Sequence, residues 1–290
     1  MPRQVTWTQR FARTQAIMSA AWQIIKEDKQ LLLLPMASSL CLMALTATIV
    51  VPAAVGSLTG ASAAEELHQL PSLSYIGLFL FYVTAYAIGI YFNAALACCV
   101  LRKFEGKSAS IMDGLRDATA CLPQILGWAV VATTVGLLLK MVERRSGFVG
   151  RLVVKVVGLA WGVATFLVVP VLVAEKKGPL DAIRESVELL QKTWGENLLA
   201  GLGFSLLYFL WAIPGLFAFL VGFGMLASHP MLALVIMVLA ILYFPLLGFV
   251  LSTMSTIFDV VLYRFAKLGT VTNGFNRDLL EASFITRSGA

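Results

Sequence analysis

Long apolar runs alternate along this chain with short polar segments. A helix that crosses a bilayer needs about 20 predominantly apolar residues. Six stretches meet that length, at 31–56, 73–101, 122–140, 152–174, 197–226 and 231–258. The segments between them are also patterned. In 180–194, Ile183, Val187, Leu190 and Trp194 recur at helical spacing, while Asp181, Arg184, Glu185, Glu188 and Lys192 take the other side. That spacing predicts an amphipathic helix, with Pro179 pre-set for its first turn. Residues 110–122 show the same pattern through Ile111, Leu115, Ala118 and Leu122, with Ser110 as a natural N-cap. At an offset of 68, Asp113, Leu115, Arg116, Asp117 and Leu122 fall on Asp181, Ile183, Arg184, Glu185 and Leu190. A weaker third copy near the start has Phe11, Met18, Ala21, Trp22 and Ile25 on its apolar side.

These patterns predict an all-α polytopic membrane protein, with residues 1–290 as a single transmembrane domain. Its six transmembrane helices form three hairpin units at 8–101, 108–174 and 179–261. Each unit is preceded by an amphipathic interfacial helix on the cytoplasmic face, and 262–290 form a short cytoplasmic tail. Each second span exits into charge and then a glycine: Arg102-Lys103 before Gly106, Lys176-Lys177 before Gly178, and Lys267 before Gly269. Glycine after a helix suits a left-handed cap.

Composition supports the membrane class. Only 13% of residues are charged, against about 25% in soluble domains, so most of the surface faces lipid. The net charge of +6 lies in short segments between apolar runs, where its counterpart is an anionic headgroup. No basic stripe interleaves with aromatic residues, so nucleic acid is not an expected partner. Placing both termini inside puts all but five of the 22 basic residues on the cytoplasmic side, as the distribution of Lys and Arg requires. The expected location is therefore the cytoplasmic (inner) membrane, multi-pass, with both termini cytoplasmic. The first apolar run and the basic region before it are both too long for a signal peptide, so the first span is expected to be retained.

The five exceptions are Lys140, Arg144, Arg145, Arg151 and Lys155, all around the third connection. Two explanations are open. The lysines snorkel to the outer headgroups while Glu143 partly neutralises Arg144 and Arg145. Alternatively, Arg144 and Arg145 belong to an outer-face site for an anionic lipid or a protein partner.

The span centres lack Asp, Glu, Lys, Arg and His. Ion coupling and intramembrane hydrolysis both need such groups at depth, so no enzymatic activity is expected. Glu175 and Asp259 lie at span ends near basic residues and are expected to be ion-paired anchors. Cys41, Cys98, Cys99 and Cys121 have no metal or redox spacing and are expected to pack as small hydrophobes. His68 and His229 fall in separate segments, a poor ligand set. No metal or cofactor is therefore expected. Asn93 is the strongly polar side chain well inside a span, suited to an interhelical hydrogen bond or to a polar cavity. Gly158 and Gly162 form a GxxxG that predicts close helix approach. Pro170 and Pro214 predict kinks.

Several strings together resemble a known family: YFNAAL at 91–96, GLRDA at 114–118, LPQILGWA at 122–129, ATFLVVPVLVAE at 164–175, GPLDAIRESVELL at 178–190, TWGE at 193–196 and LYRFA at 262–266. They resemble uncharacterised bacterial and archaeal six-span integral membrane proteins. That family is in turn distantly similar to the membrane domain attached to some glycerophosphodiester phosphodiesterases. The resemblance implies a six-span fold and favours a lipid-related role, and it implies no catalytic residues. The expected function is that of a lipid-interacting scaffold or accessory subunit. Membrane lipids, anionic ones first, are the expected partners, with a membrane protein or a second copy as further candidates. Arg116, Arg184, Arg144 and Arg145 are the candidate contacts. The alternative is a transporter or lipid translocase without an ion-coupling residue, its path near Asn93.

Overall fold

The computed structural model describes residues 19–59, 71–107, 110–194 and 200–269. Outside them lie Arg3, Arg10, Phe11, Arg13, Met18, His68 and the tail beyond Gly269, and the Trp194 side chain is also not described. The described residues are helical, with no strand. Helix α1 (19–27) and a 3-10 turn (Lys29–Leu32) precede α2 (Leu33–Thr59) and α3 (Pro71–Phe104). Then come α4 (Ile111–Ala120), α5 (Leu122–Arg145), α6 (Phe148–Ala164), α7 (Val168–Glu175) and α8 (Pro179–Trp194). The last two are α9 (Ala200–Gly224) and α10 (Pro230–Leu268).

Among the described residues, five stretches are long and apolar enough to cross a membrane: Lys29–Pro52, Ile76–Phe104, Leu122–Arg145, Phe148–Glu175 and Pro230–Leu268. Phe209–Gly224 is apolar but shorter. Among the described residues, those of Leu33–Leu189 form one compact unit, and those before Leu33 together with those from Leu190 onward form a second.

In the first unit α3 is the hub, packing against α2, α4, α5 and α7. Its residues Ala94–Val100 are all buried, and most are Ala or Cys, which lets neighbouring backbones approach closely. At 34 residues and 1.5 Å per residue, α3 is about 51 Å long. The hydrocarbon layer is about 30 Å thick, so α3 reaches well past it. The buried residues of this unit gather toward that C-terminal end of α3. They include Ile125, Trp128, Leu167, Val171, Leu172 and Ala182. Trp128 stacks on Trp161 with ring centroids 6.0 Å apart. Away from this core, large apolar side chains such as Leu40, Met43, Leu78, Leu138 and Val156 are exposed. A water-facing surface does not carry contiguous apolar area on that scale.

Three features depart from the sequence expectations. The third connection is not a loop over 140–155. Helices α5 and α6 run right up to a two-residue turn, Ser146-Gly147. The fourth apolar run is broken at 165–167. In an unbroken helix the Pro170 ring would clash with the Phe166 carbonyl. Restarting at Val168 moves Pro170 into the first turn of α7, where no N–H is needed. Glycine caps α3 and α10 in the left-handed region, with Gly106 at φ 72° and Gly269 at φ 64°. At the second exit Lys176, at φ 52°, takes that conformation instead of Gly178.

Close helix approach is also relocated. A Cβ on Gly158 or Gly162 would meet open space. A Cβ on Gly114 would collide with Cys99 Sγ and lie 2.7 Å from the Ala95 carbonyl oxygen. Cys98, Cys99 and Cys121 are buried as expected, whereas Cys41 is exposed on α2.

In the second unit α9 and α10 form a hairpin. A Cβ on Gly215 would come within 2.5 Å of the Tyr243 ring, and one on Gly222 within 2.8 Å of Met237 Cγ. Pro214 cannot donate a backbone hydrogen bond inside α9. Nearby, the Tyr243 hydroxyl donates to the Trp211 carbonyl at 2.6 Å. Helix α10, with 39 residues, is about 58 Å long. Met231, Leu234, Val238 and Leu242 are exposed in its first half, while Met254, Ile257, Phe258 and Val261 are buried in its second.

Candidate functional site

Helix α4 starts at Ser110, whose hydroxyl accepts the Met112 N–H at 3.2 Å. The side that meets α3 is not the row of large apolar residues. Gly114 and Ala118 are buried, Ile111 and Leu115 are half-buried, and Leu122 is exposed. The helix lies across α3. Its Leu115 and Thr119 flank faces Tyr91, whose hydroxyl is 3.3 Å from the Leu115 carbonyl oxygen and 2.9 Å from Thr119 Oγ1. Its Asp117 flank faces Arg102, which donates from Nε at 2.6 Å and Nη2 at 3.0 Å in a two-pronged ion pair. The Arg102 hydrogen bonds hold the Asp117 carboxyl below the usual carboxylate range. Tyr91 and Arg102 are separated by about 16 Å along α3, with Tyr91 on the side of the exposed apolar surface. Successive helical residues turn by about 100°. Met112 and Arg116 therefore point directly away from the Gly114 and Ala118 side. Met112 is 71% exposed, and Arg116 is exposed with no ion pair among the described residues.

Helix α8 has the same arrangement at the positions that the sequence alignment pairs with these. Ala182 and Ser186, aligned with Gly114 and Ala118, are fully buried. Glu185, aligned with Asp117, pairs with Lys177 at 2.9 Å. Lys177 also bonds Glu175 at 2.7 Å, and the two carboxylates raise the Lys177 ammonium above its ordinary value. Leu180, aligned with Met112, is 72% exposed. Arg184 is exposed without an ion pair among the described residues. The Leu167 N–H, freed by the break before α7, donates to the buried Ser186 hydroxyl at 3.2 Å. The turn before α8 is docked on α5. Pro179 Cγ stands 3.0 Å from where a Gly127 Cβ would be, and Gln124 Nε2 is 3.5 Å from the Lys176 carbonyl oxygen.

The structure brings Arg144 and Arg145 together with Arg151 at the α5–α6 turn. Lys140, Arg144, Arg145, Arg151 and Lys155 are all exposed. At the apex Phe148 is 81% exposed and Val149 72%. Arg116 and Arg184 belong to separate helices near the other end of α5 and α7. Asn93 is exposed on α3, just before the buried run Ala94–Val100.

Of the two expected anchors, Glu175 is ion-paired. The Oδ1 of Asp259 is enclosed with no hydrogen-bond partner among the described residues. Burial pushes the Cys121 thiol up, which disfavours the nucleophilic thiolate. Among the described residues no group of three or more His, Cys, Asp or Glu is placed to hold a metal.

Sequence reasoning found the exposed arginines but missed the small-residue contacts and the ion pairs behind them. The available signal was Gly114 in mid-helix, which costs about 1 kcal/mol relative to Ala and marks close approach.

Helical throughout its described residues, with five bilayer-length apolar stretches among them, the chain has the architecture of a multi-pass membrane protein. Residues 72–275 match a family of unknown function, DUF6159, and the chain belongs to that family. No curated protein and no solved structure matches it.

Proposed function

We propose that this protein is a non-enzymatic, lipid-interacting scaffold or accessory subunit of the cytoplasmic membrane. In this reading both termini are cytoplasmic and six spans form three hairpin units. Helices α4 and α8 are amphipathic and lie in the inner interface. One observation carries the proposal: the paired exposure of Met112 with Arg116 and of Leu180 with Arg184. An apolar side chain one turn from a free arginine, on a helix lying across the spans, suits the boundary between acyl chain and phosphate. The Tyr91 flank of α4 faces the apolar zone and its Asp117 flank faces the charged end of α3, which matches that placement. The distant similarity of the resembled six-span family to membrane domains attached to some glycerophosphodiester phosphodiesterases favours a lipid role in this reading.

The test replaces both arginines. Each basic residue near an anionic surface contributes about 1 kcal/mol. The Arg116→Glu, Arg184→Glu variant should therefore retain anionic phospholipid at least about tenfold more weakly, read by native mass spectrometry after gentle extraction. Undiminished retention would reject the proposal. A stoichiometric second protein in the same spectra would make the chain an assembly subunit.

A further inference from the structure

We infer that the α5–α6 tip is a second lipid site, which binds the phosphate of an anionic phospholipid in the leaflet opposite α4 and α8. This deepens the lipid reading above but uses none of the residues that carry it.

The charges at the two ends of the first unit are handled differently. At the core end, Arg102 and Lys177 are held in ion pairs with Asp117, Glu175 and Glu185, while Arg116 and Arg184 stay exposed. At the tip, Lys140, Arg144, Arg145, Arg151 and Lys155 are exposed, and none forms an ion pair among the described residues. The neighbouring carboxylate, Glu143, is half-buried and bridges to none of them. Five like charges held within two helical ends repel one another, and their natural complement is an anion.

Helix length supplies a ruler. From Leu122 to Lys140 the rise along the unbroken helix α5 is about 27 Å. The hydrocarbon layer is about 30 Å thick. Lys140 therefore stands near the far edge of the hydrocarbon, and Lys155, a similar distance along α6 from the Ser146-Gly147 turn, lies near the same depth. Arg144, Arg145 and Arg151 lie roughly one turn further out, at the depth of the phosphates. Lysine at the edge can snorkel on its flexible stem. Arginine beyond it offers a planar fork that matches two phosphate oxygens.

The apex also indicates the source of the phosphate. Phe148 and Val149 are among the most exposed apolar residues of the chain, at 81% and 72%, and they adjoin the arginines. A site for a soluble phosphate has no use for them, whereas glycerol and acyl carbons beside a headgroup would cover them. The two-residue turn keeps Arg144 and Arg145 at the end of α5 close along the chain to Arg151 in the first turn of α6, with no long loop between them.

The test uses the full-length protein in nanodiscs of mixed phosphatidylcholine and phosphatidylglycerol, with spin-labelled phosphatidylglycerol as the probe. Replacing Arg144, Arg145 and Arg151 by Gln should lower the preference for the immobilised anionic lipid on the order of a hundredfold. Replacing the same three by Lys should lower it only part of the way, because charge remains and the fork is lost. These side chains are solvent-exposed, so the melting temperature should not change. Phe148→Ser should weaken retention several-fold with every charge intact. Full preference in the Gln variant would overturn the inference. So would loss confined to the Arg116→Glu, Arg184→Glu variant, which would leave the scaffold proposal standing. Competition by millimolar glycerol 3-phosphate would also overturn it, by showing a soluble ligand. Loss confined to the tip variants would support this site and count against the other.

Discussion

Lys176 adopts the left-handed conformation that a β-carbon disfavours by about 1–2 kcal/mol. Its neighbours hold it there: Lys177 is tied to Glu175 and Glu185, and Pro179 is seated against Gly127. Glycine would relieve the strain at some cost in unfolded-chain entropy. Lys176→Gly should therefore raise stability by about 1 kcal/mol, seen as a higher unfolding midpoint in detergent. A lower midpoint would mean that the side chain itself contributes, and its charge near Asp117 would be the first suspect. Residue-scale contacts were the least legible in the sequence. Hydropathy weights Ile111, Leu115 and Leu122, yet the contact with α3 is made by Gly114 and Ala118. Which side of a small helix is buried depends on how near another backbone comes, and periodicity does not report that distance.

Element by element, the sequence was far more readable. The long apolar runs became helices that start within about four residues of the expected positions, although α10 runs on to Leu268, ten residues past its expected end. The errors fell at 140–155 and 165–167. Charge between Lys140 and Lys155 marks a connection in the hydropathy pattern, yet Lys and Arg are good helix formers and the helices continue through them. The break before α7 was signalled only by Pro170, and its position depends on Ser186 nineteen residues later. That hydroxyl receives the one backbone donor at the break that has no carbonyl in reach. Ser186→Ala should leave the Leu167 N–H unsatisfied in a buried place and cost about 1–3 kcal/mol. Differential unfolding in detergent would measure this. A loss smaller than about 0.5 kcal/mol would show that the N–H finds another acceptor and that the break is set by Pro170 alone.

For the molecule as a whole, composition alone announced a membrane protein, and the helix lengths of α3 and α10 add that it extends well beyond the hydrocarbon. The proposed orientation has a direct check. In a chain whose four native cysteines are replaced, Gly147→Cys should react with an impermeant maleimide on intact cells. Lys107→Cys should react only after the membrane is opened, and the reverse pattern would invert the proposed threading. The two-residue turn between α5 and α6 then governs how the protein enters its membrane. With so short a connection, neither helix can cross without the other, so the hairpin must insert in one step and carry its charged apex through. Five cations less Glu143 leave four positive charges. Outward movement against an inside-negative potential then requires about 9 kcal/mol per 100 mV, at about 2.3 per charge. Biogenesis of this protein should accordingly be opposed by the energised membrane, and Gly147→Cys labelling of newly made chains should rise when the potential is collapsed.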